Sequence, residues 1–212
     1  MENAIIVKDI SKSFKGISVL KQINISFEKG KIHGIIGRNG SGKTVLIKII
    51  CGLIQPDAGH VWVNGKEIGK DVDFPESIGV IIEAPGFLPS LNAYKNLDYL
   101  ASLKGTIGKN EIYSAISTVG LDPNDKKHVG KYSLGMKQRL GIAQAIMENP
   151  DILILDEPMN ALDKNGVAEI RKLLLQLKDE GKTILIVSHN SEDIHMLCDT
   201  VHEMDGGLLT KI

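Results

Sequence analysis

The sequence predicts an α/β fold: a mainly parallel central sheet flanked by helices, with an N-terminal antiparallel β subdomain and a helical insertion. Three observations predict it. An apolar strand, a glycine-rich turn and an apolar helix follow one another from Ile35 to Ile50. Two short all-apolar runs, Ile152 to Leu155 and Ile184 to Val187, bracket a stretch of helical period, the alternation that builds parallel sheets. From Asn92 onward the apolar residues recur at helical spacing, which makes the middle of the chain a mostly helical block.

In chain order, Ile23, Ile25 and Phe27 alternate with Asn24, Ser26 and Glu28, the period of a half-exposed strand. Lys29-Gly30-Lys31 then turns the chain into Ile32 to Ile36. Val61-Trp62-Val63 before Asn64-Gly65 reads as a strand entering a hairpin. Ile78 to Ile82 is an uninterrupted apolar run, as expected of a strand buried on both faces. The helical block places Leu97, Leu100 and Leu103 on one face, then Ile112, Ile116 and Val119, then Leu140 through Met147. Val167 to Lys178 reads as a helix with Ile170, Leu173, Leu174 and Leu177 inward.

A chain of 212 residues can bury a sizeable core, and a single domain over 1–212 is expected. Its 42 % apolar and 24 % charged residues are those of a globular protein, and a net charge of -1 gives no electrostatic case for nucleic acid. With Cys51 and Cys198 as its two cysteines and no signal-peptide pattern, a reducing cytosol is the expected compartment. The most apolar stretch, Val45 to Ile54, is short and carries Lys48, so it reads as a buried helix and not a membrane span. Any membrane-spanning part would belong to another chain.

Gly37, Gly42, Lys43 and Thr44 fit the phosphate-loop pattern G-x-x-x-x-G-K-[ST], filled out by Arg38, Asn39, Gly40 and Ser41 and followed by Val45. Three glycines let the backbone curl until its N–H groups point inward at the positive end of the next helix, so a polyphosphate is the natural occupant. Lys43 adds a point charge for the outer phosphates, and the Thr44 hydroxyl is placed to ligate Mg2+. Asp156 and Glu157 stand at the carboxyl end of a buried strand, where ligands bind in open α/β sheets. Two carboxylates there are costly without a partner, and Mg2+ shared by Thr44 and Asp156 would supply one. Glu157 is then free to position or deprotonate a water. His189, after the last central strand, is placed to hydrogen-bond a γ-phosphate. His33, His60, His128, His195 and His202 lack such company and read as structural or solvent-facing.

In this order, these residues resemble the ATP-binding subunit of ABC transporters over essentially the whole chain, implying a P-loop NTPase of the ABC-ATPase type with a helical subdomain over roughly 86–148. Gly37 to Thr44 looks like Walker A, Ile152 to Glu157 like Walker B with its catalytic glutamate, Asn160-Ala161-Leu162-Asp163 like the D-loop, and His189 like the switch histidine. Tyr132-Ser133-Leu134-Gly135-Met136-Lys137-Gln138-Arg139 resembles the signature motif. Ser133 and the backbone N–H groups of a helix start form an anion site with no phosphate of their own. Ser133 is also an ordinary helix cap. The resemblance implies that two subunits meet head to tail, the signature of each, with Ser133 and Gly135, closing over the γ-phosphate held by the other, and it implies Asp163 of the D-loop as a nucleotide-binding residue. It also implies that Phe14 stacks on adenine.

Leu134 and Met136 depart from the usual signature, and Glu83 stands where most of the family carries a glutamine. Glu83 is there a charged ligand for Mg2+ and water. The Glu83-Ala84-Pro85-Gly86-Phe87 variant, with this signature, is similar to the subgroup that exports or confers immunity to bacitracin-like and lantibiotic peptides. The resemblance implies ATP and Mg2+ as cofactors, Glu157, His189 and Lys43 as the hydrolytic residues, an integral membrane partner gripped by Ala84 to Leu91, and a place on the cytoplasmic face of the cell membrane. A non-transport ABC ATPase of translation or cofactor assembly is the alternative. Those acting on ribosomes commonly pair two cassettes through a charged linker, and this chain shows one cassette and no linker.

Overall fold

The alternation over Ile23 to Phe27 is part of a long hairpin in the computed structural model, which describes residues 2–83 and 86–212. Strands β1 (Asn3–Phe14) and β2 (Ile17–Glu28) pair antiparallel, and Ile5, Val7, Ile10, Leu20, Ile23 and Phe27 point into the core. β3 (Ile32–Ile36) and helix α1 (Lys43–Ile50) follow. β4 (Ala58–Val63) pairs with the other edge of β1 and turns through Asn64 and Gly65, both at positive φ, into β5 (Lys66–Glu67). Two left-handed residues in a two-residue turn suit the twist of the strands they join.

The rest of the chain is β6 (Ile78–Ile81), α2 (Ala93–Lys104), α3 (Lys109–Thr118), a 3-10 turn (Val129–Lys131), α4 (Leu134–Ile146), β7 (Ile152–Asp156), α5 (Lys164–Asp179), β8 (Thr183–Val187), α6 (Ser191–Leu197), β9 (Thr200–Asp205) and β10 (Leu208–Lys211). The second sheet runs β10-β9-β3-β8-β7-β6, parallel throughout except for β10. Between β6 and β7 the described residues form helices and loops with no strand.

The parallel sheet is the middle layer, because side chains alternate across a strand. Leu153, Leu155, Ile184 and Ile186 face one cluster with Leu140, Ile142, Ile170 and Leu174. Ile152, Ile154, Leu185 and Val187 face the other, with Leu46, Ile47 and Ile50 of α1 and the antiparallel sheet. Covered on both faces, these strands can afford continuous apolar sequence. No helix among the described residues is long and apolar enough to cross a membrane.

Three sequence expectations are corrected. β6 is an edge strand with Ile78 and Val80 only partly buried; it lies under α4 at Gly79, where a Cβ would stand 1.9 Å from the Ala145 carbonyl oxygen. The helix in Val45 to Ile54 stops at Ile50, because Gly52 turns left-handed (φ 76°) at a spot where a Cβ would meet the Asp73 oxygen at 2.2 Å. Leu103 is 73 % exposed, since α2 ends at Lys104 and its packed face stops with Leu97, Leu100 and Ala101.

His33 and His202 are buried beside Phe27, with ring centroids 5.1 and 5.9 Å from it. His33 is bonded to the Thr200 hydroxyl and the Glu28 carbonyl. Burial holds both imidazoles below their usual range, His202 at about 4. The unfolded chain therefore takes up these protons first, so their contribution to stability is complete above pH 6.5 and falls away as the pH drops toward 4. Urea midpoints measured across that window should fall, and should fall less in His202→Gln.

Candidate active site

Three strand ends finish level. β8 lies between β3 and β7, with Val187 opposite both Ile35 and Asp156. The loops leaving those ends therefore emerge side by side: Gly37 to Gly42 after β3, Glu157 after β7, and Ser188 and His189 after β8. The first two border a cleft of about 400 Å³ lined by Asn39, Gly40, Gly42, Lys43, Thr44, Val45, Glu83, Asp156 and Glu157, with Val19 from the antiparallel sheet, and Ser188 and His189 reach its edge through their bonds to Glu157.

The glycine-rich turn has the geometry that its composition demands. Gly37 has φ 148° and a Cβ on it would sit 2.2 Å from the Met204 oxygen; Gly42, at φ 111°, is the N-cap of α1 and gives it no side-chain cap. A larger residue at either place forces the loop open. Lys43 is buried and folds back over the turn, donating from Nζ to the carbonyls of Gly37 at 2.6 Å and Arg38 at 3.0 Å. The Ser41 hydroxyl is buried without a partner. An uncapped helix start, an orphaned hydroxyl and a buried ammonium in one turn fit a polyphosphate.

Opposite the turn, the Thr44 hydroxyl donates to Asp156 Oδ2 at 3.2 Å across 112 positions of sequence. Burial raises the Asp156 carboxyl above its usual range; the charges of Glu157 and Glu83 add to this, while Thr44 and Lys43 oppose it. Among the described residues no cluster of three or more His, Cys, Asp or Glu side chains could hold an ion by itself. Mg2+ takes one or two protein oxygens and completes its shell with water and phosphates. The oxygens of Thr44 and Asp156 fit such an ion.

Glu157 adopts a left-handed backbone (φ 51°), and its amide donates to Val187 O at 2.8 Å. Its Oε1 accepts from the His189 backbone N–H at 3.0 Å and lies 2.6 Å from His189 Nδ1, while Oε2 accepts from the buried Ser188 hydroxyl at 3.2 Å. Glu157 and His189 thus form one unit at the cleft.

The structure does not bring the remaining predicted residues to this cleft as free ligands. Glu83 lines it, but its carboxylate is held by Lys48 Nζ at 2.7 Å. Phe14 is 43 % exposed at the end of β1, outside the cleft lining, with Lys12 Nζ 5.4 Å from its ring centre. Ser133 is the exposed N-cap of α4, accepting from Met136 N–H at 3.2 Å. Gly135 is packed so that a Cβ would lie 2.8 Å from Ala161 O. Asp163 caps α5, accepting from Gly166 N–H at 2.8 Å. Sequence reasoning missed the roles of Val19, Lys48, Ser188 and Gln138. Ser188 could have been found from its place between the last strand and His189; the others depend on tertiary neighbours.

Residues 20–160 match the ABC transporter family. The chain belongs to that family. As an ABC transporter ATP-binding protein it is an ATPase. It is similar along 96 % of its length to the ABC transporter ATP-binding protein YybJ of Bacillus subtilis, at 49 % identity and covering 93 % of that protein. It is 42 % identical to the bacitracin transport ATP-binding protein BcrA of Enterococcus faecalis, matching all of this chain and 69 % of BcrA. The lantibiotic transport ATP-binding protein SrtF of Streptococcus pyogenes is 37 % identical over 92 % of this chain and 84 % of its own. Among solved structures, the dimeric bacterial ABC transporter cassette MJ0796 superposes with a TM-score of 0.88 at 26 % identity, covering 98 % of both chains.

In this ABC ATPase the folded chain holds the Asp156 proton to a higher pH than the unfolded chain does. The carboxyl therefore favours folding in acid, and that contribution is lost as the pH rises through the raised value. At neutral pH, Asp156→Asn without nucleotide should melt at a higher temperature than the parent, while the further rise given by ATP with Mg2+ shrinks. A lower midpoint for the nucleotide-free variant would contradict this account of the site.

Proposed function

We propose that this ABC ATPase drives export of, or immunity to, a peptide antibiotic of the bacitracin or lantibiotic kind, through closure of two nucleotide-binding subunits on a membrane partner. The observation that carries the substrate class is the similarity to BcrA and SrtF, which spans all or nearly all of this chain. Glu83, in place of the usual glutamine, supports the same subgroup.

ATP sits with its phosphates in the turn from Gly37 to Thr44, held by the loop amides, the Ser41 hydroxyl and Lys43, with Val45 at the helix start. Phe14, exposed at the tip of its hairpin, stacks on the base. The oxygens of Thr44 and Asp156 would hold Mg2+, which would supply positive charge for the phosphate oxygens. Glu157 orients and deprotonates the attacking water, and His189 holds Glu157 while its exposed ring reaches the γ-phosphate. Ser133 is exposed and stands outside its own cleft, which supports its acting on the nucleotide of a facing subunit, a second copy or a related chain. Gly135 and Asp163 serve that contact by shaping the two helix starts.

The grip on the membrane partner falls to Ala84 to Leu91 at the cytoplasmic face. Ala84 and Pro85 lie outside the described residues. Leu88 is 47 % exposed and its backbone is clasped by the buried Asn96, which accepts from Leu88 N–H at 2.8 Å. An exposed apolar side chain on a backbone held at Leu88 suits a docking element.

Glu157→Gln should leave ATP binding intact and reduce steady-state phosphate release by about 100-fold or more, whereas Lys43→Ala should weaken ATP binding itself; near-normal turnover in the first variant would remove the base. Glu83 must leave Lys48 to reach a metal, so the parent should depend more steeply on Mg2+ than Glu83→Gln. Identical Mg2+ titrations would exclude Glu83 as a ligand. Loss of the chain should sensitise its host to a bacitracin-like or lantibiotic peptide, and the protein should copurify with an integral membrane subunit and not with ribosomes.

A further inference from the structure

The geometry points to Gln138 as a positioning residue that holds Glu157 in its turn and fastens that turn to the signature helix. Gln138 lies one turn into α4 and is half-buried. Its Nε2 donates to two successive carbonyls, Glu157 O at 3.2 Å and Pro158 O at 3.1 Å. A primary amide has two N–H donors, so one turn of backbone takes both.

Glu157 needs such a hold. A side-chain-bearing residue at φ 51° occupies a region that L residues rarely adopt and that persists only where neighbours impose it. Two other bonds, Glu157 N–H to Val187 O at 2.8 Å and Asn160 N–H to Glu157 O at 3.1 Å, come from the sheet and from the turn itself. Gln138 brings the tie from the helical block. The first turn of α4 reinforces it at Gly135, whose bare Cα lets the helix approach the Ala161 carbonyl. The helix that carries Ser133 at its exposed tip is thus seated on residues 157–161. A shift of α4 moves the carbonyl of Glu157, and with it the carboxylate that His189 and Ser188 hold at the cleft.

This inference rests on Glu157 being the base. The test uses the full chain with Gln138→Met, which keeps the shape and removes the donors, and Gln138→Lys, which restores donors. ATP affinity is measured for each with Glu157→Gln added, so that no turnover interferes. Expected for Gln138→Met is a kcat lower by about tenfold or more, with ATP affinity within about twofold of the Glu157→Gln protein and a small drop in melting temperature that Gln138→Lys restores. Gln138→Lys should recover most of the rate. A kcat within about twofold of the parent in Gln138→Met would overturn the assignment. So would a loss matched by a lower melting temperature and not recovered by Gln138→Lys, which would mean packing alone. Continued hydrolysis by the single Glu157→Gln variant would overturn the base itself and is read separately.

Discussion

The register of three parallel strands is the constraint on which the rest of this structure depends. Val187 stands opposite Ile35 on one side and Asp156 on the other, so the phosphate turn, the acid pair and the histidine leave the sheet at one level. A slip of one residue in a strand buried on both faces would send its side chains into the opposite cluster, and the apolar burial in the two clusters forbids it. Registers fixed by packing therefore fix the chemistry, and Thr44 meets Asp156 although 112 positions separate them.

Strain collects where those strands end. Glu83, Glu157 and Ala161 all adopt positive φ without being glycine, and all three lie in turns bordering the cleft or the signature helix. Such conformations need the surroundings to impose them. Around Glu157 the surroundings are explicit: Val187, His189, Ser188 and Gln138 each contribute a bond. Around Glu83 there is the ion pair with Lys48, on a side chain that is 65 % exposed and therefore weakly held. The two carboxylates differ accordingly: one is locked to its neighbours, the other is tethered by a surface pair.

Much of this site was legible in the chain because its chemistry is local in sequence. Gly37, Gly42, Lys43 and Thr44 form a loop and helix start from contiguous residues, and Asp156-Glu157 follow their own strand, so spacing alone located them. The signature serine was readable for the same reason, since a helix cap is a matter of the next three residues. Leu103 and the helix end at Ile50 depart from expectation because periodicity continues past the point where a missing neighbour, or a left-handed glycine such as Gly52, stops the element. The edge position of β6 was invisible to hydropathy, which records how apolar a strand is and not how many strands flank it.

The sequence by itself determined that a glycine-rich turn opening a helix, an acid pair at a strand end and a serine-capped helix start exist, because each is built from residues adjacent in the chain. Only the tertiary structure decided which of them face one another. It parked Glu83 on Lys48, bound Glu157 to Ser188 and His189, and laid Gln138 across two carbonyls 19 and 20 positions further along the chain. The physical reason is range: backbone preferences act over a few residues, whereas hydrogen bonds between distant segments exist only after the sheet has brought their ends together.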